Sequence, residues 1–212
     1  MTYTIDITIP SCKLNEDIRK VVAEIQKNTP EINYQGVWLS GLNVSASKNR
    51  NECHKRCTGD IVVSLDDDIQ GFYPGWLTEI VKPLIEDESI RFASARLMNA
   101  NGQIGFMMTS KKDLSQDYEI VSRCPTSAFA YRKKDFDSLV KFWNKSSLPF
   151  DEGFIGSGWE DDAICHDLKT KFSKSKIIIN NKVRLIHLNE QKNQKENLQI
   201  NKDYFYKTGR VK

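Results

Sequence analysis

Residues 58–68 read TGDIVVSLDDD, and this stretch decides the fold class. Ile61, Val62, Val63 and Leu65 belong to a short apolar run, launched by a Gly-Asp turn and stopped by three consecutive carboxylates. Such a run reads as a buried strand that ends at a cleft. Three adjacent anions repel one another and resist desolvation, so Asp66, Asp67 and Asp68 at that point call for a divalent cation or a positively charged ligand opposite them. Hard cations such as Mg2+ or Mn2+ take oxygen ligands and share them with a diphosphate. The bland alternative is a solvated acidic loop after a strand.

Outward from this strand, 212 residues suffice for one sizeable core and make a single α/β domain the expectation. Hydrophobic residues at 39% and charged residues at 28% leave no apolar run long enough to cross a bilayer. The opening MTYTIDITIP has neither the basic flank nor the long apolar core of a signal peptide. Five scattered cysteines, an odd number, suit a reducing compartment. The expected location is therefore cytoplasmic, with peripheral membrane association left open. Cys53 and Cys57 flank His54, but no second closely spaced pair completes a zinc site, so helix packing is their expected role. A net charge of +3 does not mark a nucleic-acid binder.

Upstream, Ile5, Ile7 and Ile9 alternate along a first strand that opens at Pro10-Ser11 into a loop. Leu14, Ile18, Val21, Val22 and Ile25 recur at helical spacing, and residues 32–39 read as the next strand. This βαβ order predicts a parallel sheet. Residues 45–57, SASKNRNECHKRC, form a polar, basic helix candidate; a solvated face suits most of its charges, and Arg50-Asn51 stands apart because of what lies eight residues on. Downstream, the pattern predicts a helix over 76–85, strands over 91–95 and 103–109, a loop or short hairpin over 110–123 and a helix over 136–143. Ser127, Ala128 and Ala130 in CPTSAFAY allow a backbone to approach a ligand, or simply let strands pack.

Residues 150–168 read FDEGFIGSGWEDDAICHDL. Gly153, Gly156 and Gly158 make the approach pliant, and Glu160, Asp161 and Asp162 fall in a first helical turn, where acids gain from the dipole. Two apolar stretches, 177–179 and 183–187, follow and end at His187. A lone histidine there is more often a hydrogen-bonded core residue than a ligand. The tail from Asn189 is rich in Asn, Gln and Lys and is expected to be mobile until something orders it.

Several of these landmarks carry a resemblance. Arg50-Asn51, then Gly59, the apolar strand and Asp66-Asp67-Asp68, resemble the corresponding stretch of family 2 glycosyltransferases. Pro74-Gly75-Trp76-Leu77 resembles that family's P-x-W-L. Phe150-Asp151-Glu152, Gly158-Trp159-Glu160-Asp161-Asp162 and His187 are also similar to β-1,4-galactosyltransferases. With the IDITIPS opening, the resemblance covers most of the chain. It implies a GT-A domain with a mixed, mostly parallel central sheet over 1–188, its nucleotide-sugar half 1–96 and its acceptor half 97–188. The tail, 189–212, is then a candidate lid.

The resemblance implies Asp66, Asp68 and His187 as ligands of Mn2+ or Mg2+, and Pro10, Ser11, Arg50, Asn51, Asp66 and Asp67 around a nucleotide-sugar donor. It gives Asp161 the place of the catalytic base with Glu160 beside it, and Trp159, Glu160 and Asp162 the acceptor side. Lys207 and Arg210 of the tail become candidate diphosphate contacts. One departure matters: Val37-Trp38-Leu39-Ser40-Gly41 stands where the family has an acidic nucleoside-reading stretch, so UDP is assumed only as the family's commonest donor. The implied activity is metal-dependent transfer of a sugar with inversion, and the acceptor is left open among glycan, glycolipid, protein and modified nucleic acid. An inactive module binding nucleotide and metal is the alternative, against which Asp161 and His187 argue. Nucleotidyl transfer would want a phosphate loop after the first strand, and Pro10-Ser11-Cys12-Lys13 is a poor one.

Overall fold

The computed structural model describes residues 3–12, 14, 16–29, 34–105, 114–141, 148–188 and 195–210. The chain begins with β1 (Ile5–Ile9), α1 (Glu16–Lys27), β2 (Tyr34–Leu39), α2 (Ala46–Arg56) and β3 (Ile61–Leu65). β1 lies between β2 and β3 and is parallel to both, as the βαβ order predicts. On α1, Ile18, Val21 and Ile25 form the apolar stripe that faces the sheet.

Every residue of β1 and of β3 is buried, so both faces of the alternating first strand are covered. Its inward polar residue, Asp6, is 0% exposed and is satisfied by hydrogen bonds. Thr58 N and Gly59 N donate to Asp6 Oδ2 at 2.7 Å each, and Trp38 Nε1 donates to Oδ1 at 2.9 Å. A Cβ on Gly59 would stand 3.0 Å from Thr4 O and 3.1 Å from Asp6 Oδ2, so the turn launching β3 needs glycine for close approach rather than for its φ. Asp60 completes the staple by accepting from Thr4 N and Thr4 Oγ1.

After β3 come β4 (Ile69–Gln70), α3 (Trp76–Glu86), β5 (Ile90–Met98), β6 (Tyr118–Val121) and β7 (Ala128–Arg132). The short helix α4 (Lys133–Asp137) runs into a 3₁₀ turn, and α5 (Glu160–Lys171), β8 (Lys176–His187) and α6 (Lys195–Lys207) complete the order. The mixed sheet runs β2-β1-β3-β7-β5-β8-β4, with β6 also on β8. β7 is antiparallel to both β3 and β5, while β5 and β8 are parallel. Phe92, Phe129, Tyr131, Phe136 and Phe150 stack or meet edge-on around β7, which anchors the 150–152 segment to the core.

Five local expectations change. Within the expected loop or short hairpin over 110–123, residues 118–121 form a strand that pairs with β8, and the two stretches 177–179 and 183–187 belong to one strand that shifts register opposite Ala95 and Arg96. Of the expected strand 103–109, the described part supplies a bridge from Ile104 to Met98, and the remainder lies outside the described residues. α2 does not present a simple solvated face: Ser47, Asn49, Arg50, Asn51 and His54 are buried. The last part of the tail is helical, with Phe205 and Arg210 at 1% exposure. No helix among the described residues is long and apolar enough to cross a membrane.

Asp6→Ala strips the buried N–H of Gly59 and the part-buried N–H groups of Thr58 and Trp38 of their acceptor. It is expected to destabilise the fold by roughly 3 kcal/mol, since each unsatisfied buried group costs about 1–3 kcal/mol. Urea unfolding measures it, and a loss below about 1 kcal/mol would show that the staple between β1 and the β3 turn is dispensable.

Candidate active site

The acidic triplet sits where β3 leaves the sheet. Asp66 N still donates to Ser127 O at 2.7 Å, just before β7. Two residues further, the chain turns onto β8, where Ile69 stands opposite His187 and Leu188 N donates to Asp68 O at 3.2 Å. This two-residue strand brings His187 Nε2 within 3.2 Å of Asp68 Oδ1. Ligand atoms of Asp66, Asp68 and His187 all lie within 4.8 Å of one another. Two carboxylate oxygens and one imidazole nitrogen form a donor set that Mn2+ accepts.

Asp67 turns the other way and accepts a 2.5 Å hydrogen bond from Ser11 Oγ at the end of β1. Beneath it, Ser11 N donates to Ser40 Oγ at 3.1 Å, and that hydroxyl donates to Asn49 Oδ1 at 2.7 Å. The ends of β1 and β2 are thereby tied to α2. These links position the triplet loop from the side opposite the cation cluster.

Arg50 links this cluster to α5. Its side chain is 5% exposed; Nη2 donates to Asp66 Oδ1 at 3.1 Å and to Thr126 O at 3.2 Å, while Nη1 reaches Glu160 Oε1 at 3.5 Å. Burial works against its charge, but Asp66, Glu160 and Asp161 outweigh that and raise its pKa. The acids feel burial more than they feel the arginine. Burial lifts the Asp66 pKa, with Arg50 opposing and Asp68 adding to the lift. Burial also raises Asp161 against the pull of Arg50 and of Thr126, whose hydroxyl donates to Asp161 Oδ1. For Glu160, burial and the neighbouring Asp161 push the pKa up to about 7. Glu160 Oε2 is buried without a hydrogen-bond partner among the described residues.

The approach to α5 is held from two sides. Asn51 is 0% exposed, accepts from Phe150 N at 3.0 Å and donates to both Phe150 O and Glu152 Oε1 at 2.8 Å. From the other side, Asn201 on α6 accepts from Ile155 N and donates to the carbonyls of Ile155 and Gly158. Arg210 binds Asp167 through two bonds of 2.8 and 2.7 Å and Asp151 through a third of 2.8 Å. Trp159, packed on Phe205 and Tyr206, caps α5 with a φ of 71°. A non-glycine residue in that region is strained and persists only where its surroundings hold it. Gly158 has a φ of 105°, strained for any residue with a side chain, and a Cβ there would fall 2.6 Å from Leu198 Cδ2.

No protein-family model and no curated protein matches the sequence, whereas solved structures match the fold. GalNAc-T7 in complex with UDP, GalNAc and Mn2+ aligns with a TM-score of 0.63 at 12% identity, over 89% of this chain and 44% of that one. Glucosyl-3-phosphoglycerate synthase from Mycobacterium tuberculosis, in complex with Mn2+, UDP-glucose and phosphoglyceric acid, aligns with a TM-score of 0.58 at 14% identity, over 99% and 81% of the two chains. The chain has the GT-A glycosyltransferase fold. It spans less than half the length of the GalNAc-T7 chain.

Within this GT-A domain, several residues expected at the donor or acceptor make contacts inside the protein. Asn51 holds the 150–152 segment, and Arg50 is enclosed between carboxylates. Arg210 is committed to Asp151 and Asp167 rather than free for a diphosphate, and Lys207 lies exposed on α6. Asp162 pairs with Arg123 at 2.8 Å, on the side of α5 that carries His166 rather than beside Asp161 and Thr126. Pro10 remains half-buried next to Ser11. Sequence reasoning missed Thr126, Asn49, Asn201 and Arg123. The small residues of CPTSAFAY were the only sign that a backbone turn there would meet both Arg50 and Asp161.

Removing a ligand of the cluster tests its role. Asp68→Asn and His187→Ala are each expected to weaken Mn2+ binding, measured by titration calorimetry, by at least roughly tenfold, the loss typical even of an outer partner in a metal site. Unchanged affinity in both variants would remove the cluster from consideration.

Proposed function

We propose that the protein is a metal-dependent, inverting glycosyltransferase that moves a sugar from a nucleotide diphosphate, in our reading UDP, to an acceptor hydroxyl. One observation carries this function: the Asp66, Asp68 and His187 cluster and the Glu160–Asp161 pair are joined through a single buried guanidinium. UDP and a divalent cation in the structures of GalNAc-T7 and of the mycobacterial synthase support the donor class. The likeness to family 2 enzymes rests on the motifs of the chain itself.

A divalent cation held by the cluster would neutralise the diphosphate as it departs. The protein's own groups do the rest. Asp161 accepts the proton of the acceptor hydroxyl while that oxygen bonds to the anomeric carbon and the bond from this carbon to the diphosphate oxygen breaks. A single displacement from the opposite face inverts the anomeric configuration and leaves no sugar on the protein. Thr126 orients the carboxylate, and Arg50 and Glu160 share its charge environment. Asp161 in contact with Thr126 also weighs against an inactive binding module, for which a buried carboxylate pair of raised pKa would only be a cost.

Asp161→Asn is expected to lower kcat by roughly a hundredfold or more while UDP binding persists. Near-normal turnover, or a product that keeps the donor's anomeric configuration, would overturn the mechanism. The pH profile follows from the sign of the shifts. Both carboxyl pKa values are raised by burial, so the ionised base is present only at higher pH. Activity is therefore expected to fall on the acid side with an apparent pKa above the ordinary carboxylate range. Glu160→Gln, which leaves Asp66 and Asp161 as the carboxylates facing Arg50, is expected to move this limb to lower pH in a kcat/KM profile. A limb in the ordinary carboxylate range in the unmodified protein would contradict the coupling.

A further inference from the structure

Three carboxylates stand in a row at the end of β3, yet the cation cluster takes the first and third. Ligand atoms of Asp66 and Asp68 lie within 4.8 Å of each other and of His187, and among the described residues this grouping does not include Asp67. Asp67 is half-buried and turns to Ser11, whose hydroxyl donates to its Oδ2 at 2.5 Å. A hydroxyl bonded to a carboxylate in this way is charge-assisted and about twice as strong as a neutral pair.

Ser11 is itself held in place by a buried relay. Its N–H donates to Ser40 Oγ at 3.1 Å, and that hydroxyl donates to Asn49 Oδ1 at 2.7 Å. The Asn49 amide is fixed in turn by donating to the carbonyls of Leu42 at 3.0 Å and Val44 at 3.2 Å. Ser11, Ser40 and Asn49 are all buried, and a satisfied buried network of this kind is rigid. On α2, Asn49 is followed by Arg50, whose Nη2 donates to Asp66 Oδ1 at 3.1 Å. Consecutive residues of one helix thus hold the first two carboxylates of the triplet from two directions, Arg50 directly and Asn49 through two serines. Asp68 is left to face His187 Nε2 at 3.2 Å. The bland account, a relay that only joins β1, β2 and α2, explains the links among Ser11, Ser40 and Asn49. It does not explain why the Ser11 hydroxyl reaches past these elements to the middle carboxylate.

We propose that Ser11 is a positioning residue of the cation site: by binding Asp67 it turns the middle carboxylate out of the ligand set and fixes the loop so that Asp66 and Asp68 converge with His187. This rests on the metal-dependent transfer above, and it gives Ser11 and Asp67 a supporting role in place of a donor contact. Without Ser11, the Asp67 carboxylate is drawn toward the cation or repelled by its two neighbours of like charge. Each movement disturbs the pairing of Asp66 with Asp68. Groups that orient ligands without touching the metal typically account for roughly 10–100-fold of its affinity.

Calorimetric titration with Mn2+, alongside thermal unfolding, tests this on the unmodified protein, Ser11→Ala, Asp67→Ala and Asp67→Asn. Ser11→Ala and Asp67→Ala each remove one end of the bond and are expected to weaken Mn2+ binding by roughly tenfold or more. Asp67→Asn loses the charge but keeps an oxygen that accepts from Ser11, and it is expected to retain the unmodified affinity. A tenfold loss in Asp67→Asn would make Asp67 a cation ligand and overturn the assignment. Undiminished affinity in the alanine variants would overturn it too, and a lowered melting temperature with intact Mn2+ binding would show a link that only stabilises the fold. Should Ser11→Ala fail to fold, the contrast between Asp67→Ala and Asp67→Asn carries the same expectation. If the unmodified protein binds Mn2+ and the alanine variants bind it equally well, the role of Ser11 alone fails; if the unmodified protein binds no Mn2+, the metal-dependent function fails with it.

Discussion

The contact on which the site depends is the buried guanidinium of Arg50 between Asp66 and Glu160. Two halves of the chain meet there, because Asp66 ends a strand of the βαβ unit and Glu160 begins α5, 94 residues later by their numbers. One cation facing Asp66, Glu160 and Asp161 cannot neutralise three anions, so the cluster has an incentive to hold a proton, a metal ion or both. Removing the arginine would leave buried carboxylates uncompensated, which is more costly than never having made the pair. That asymmetry makes Arg50 a structural hinge point as much as an electrostatic one.

Around this contact the sheet supplies rigidity and the loops supply access. β7, antiparallel between β3 and β5, places Thr126 and Ser127 against the end of β3, where one carbonyl meets Asp66 N and the other meets Arg50. Packing β7 there requires small residues, and Ala128 and Ala130 sit directly opposite Leu65 and Val63. The brief pairing of β4 with β8 then carries Asp68 to His187. A group that is remote in sequence becomes a neighbour through only two paired residues.

α6 has a comparable role at the other edge. Asn201, Tyr204 and Arg210 fasten the Gly-rich approach to α5 by hydrogen bonds to Ile155, Gly158 and Asp151. The strained Trp159 is held in place by Phe205 and Tyr206 from the same helix. Where the tail's composition suggests mobility, its three aromatic residues and Arg210 provide enough buried contact to dock it. Polar composition predicts solvation only when no complementary carboxylates lie within reach, and Asp151 and Asp167 do.

The sequence by itself determined the strand that ends in three carboxylates, the βαβ entry and the helix opened by Glu160, Asp161 and Asp162, and it singled out Asp66 and Asp68, whose ligand atoms the fold gathers with that of His187 within 4.8 Å. These are local: apolar runs, breakers and charge spacing are set by neighbours along the chain, and the motif resemblance added His187 to them. Only the tertiary structure decided the partners. Arg50 and Asn51 look like exposed polar residues of a basic helix until the segments at 126 and 150–152 are packed against them, and both then turn out to be buried. Arg210 looks free until Asp151 and Asp167 converge on it, and the 118–121 strand needs β8 to exist. The physical reason is the same in each case. Hydrogen bonds and ion pairs of buried polar groups are formed across long sequence separations, so their partners are chosen by the packing of the sheet and not by the local pattern.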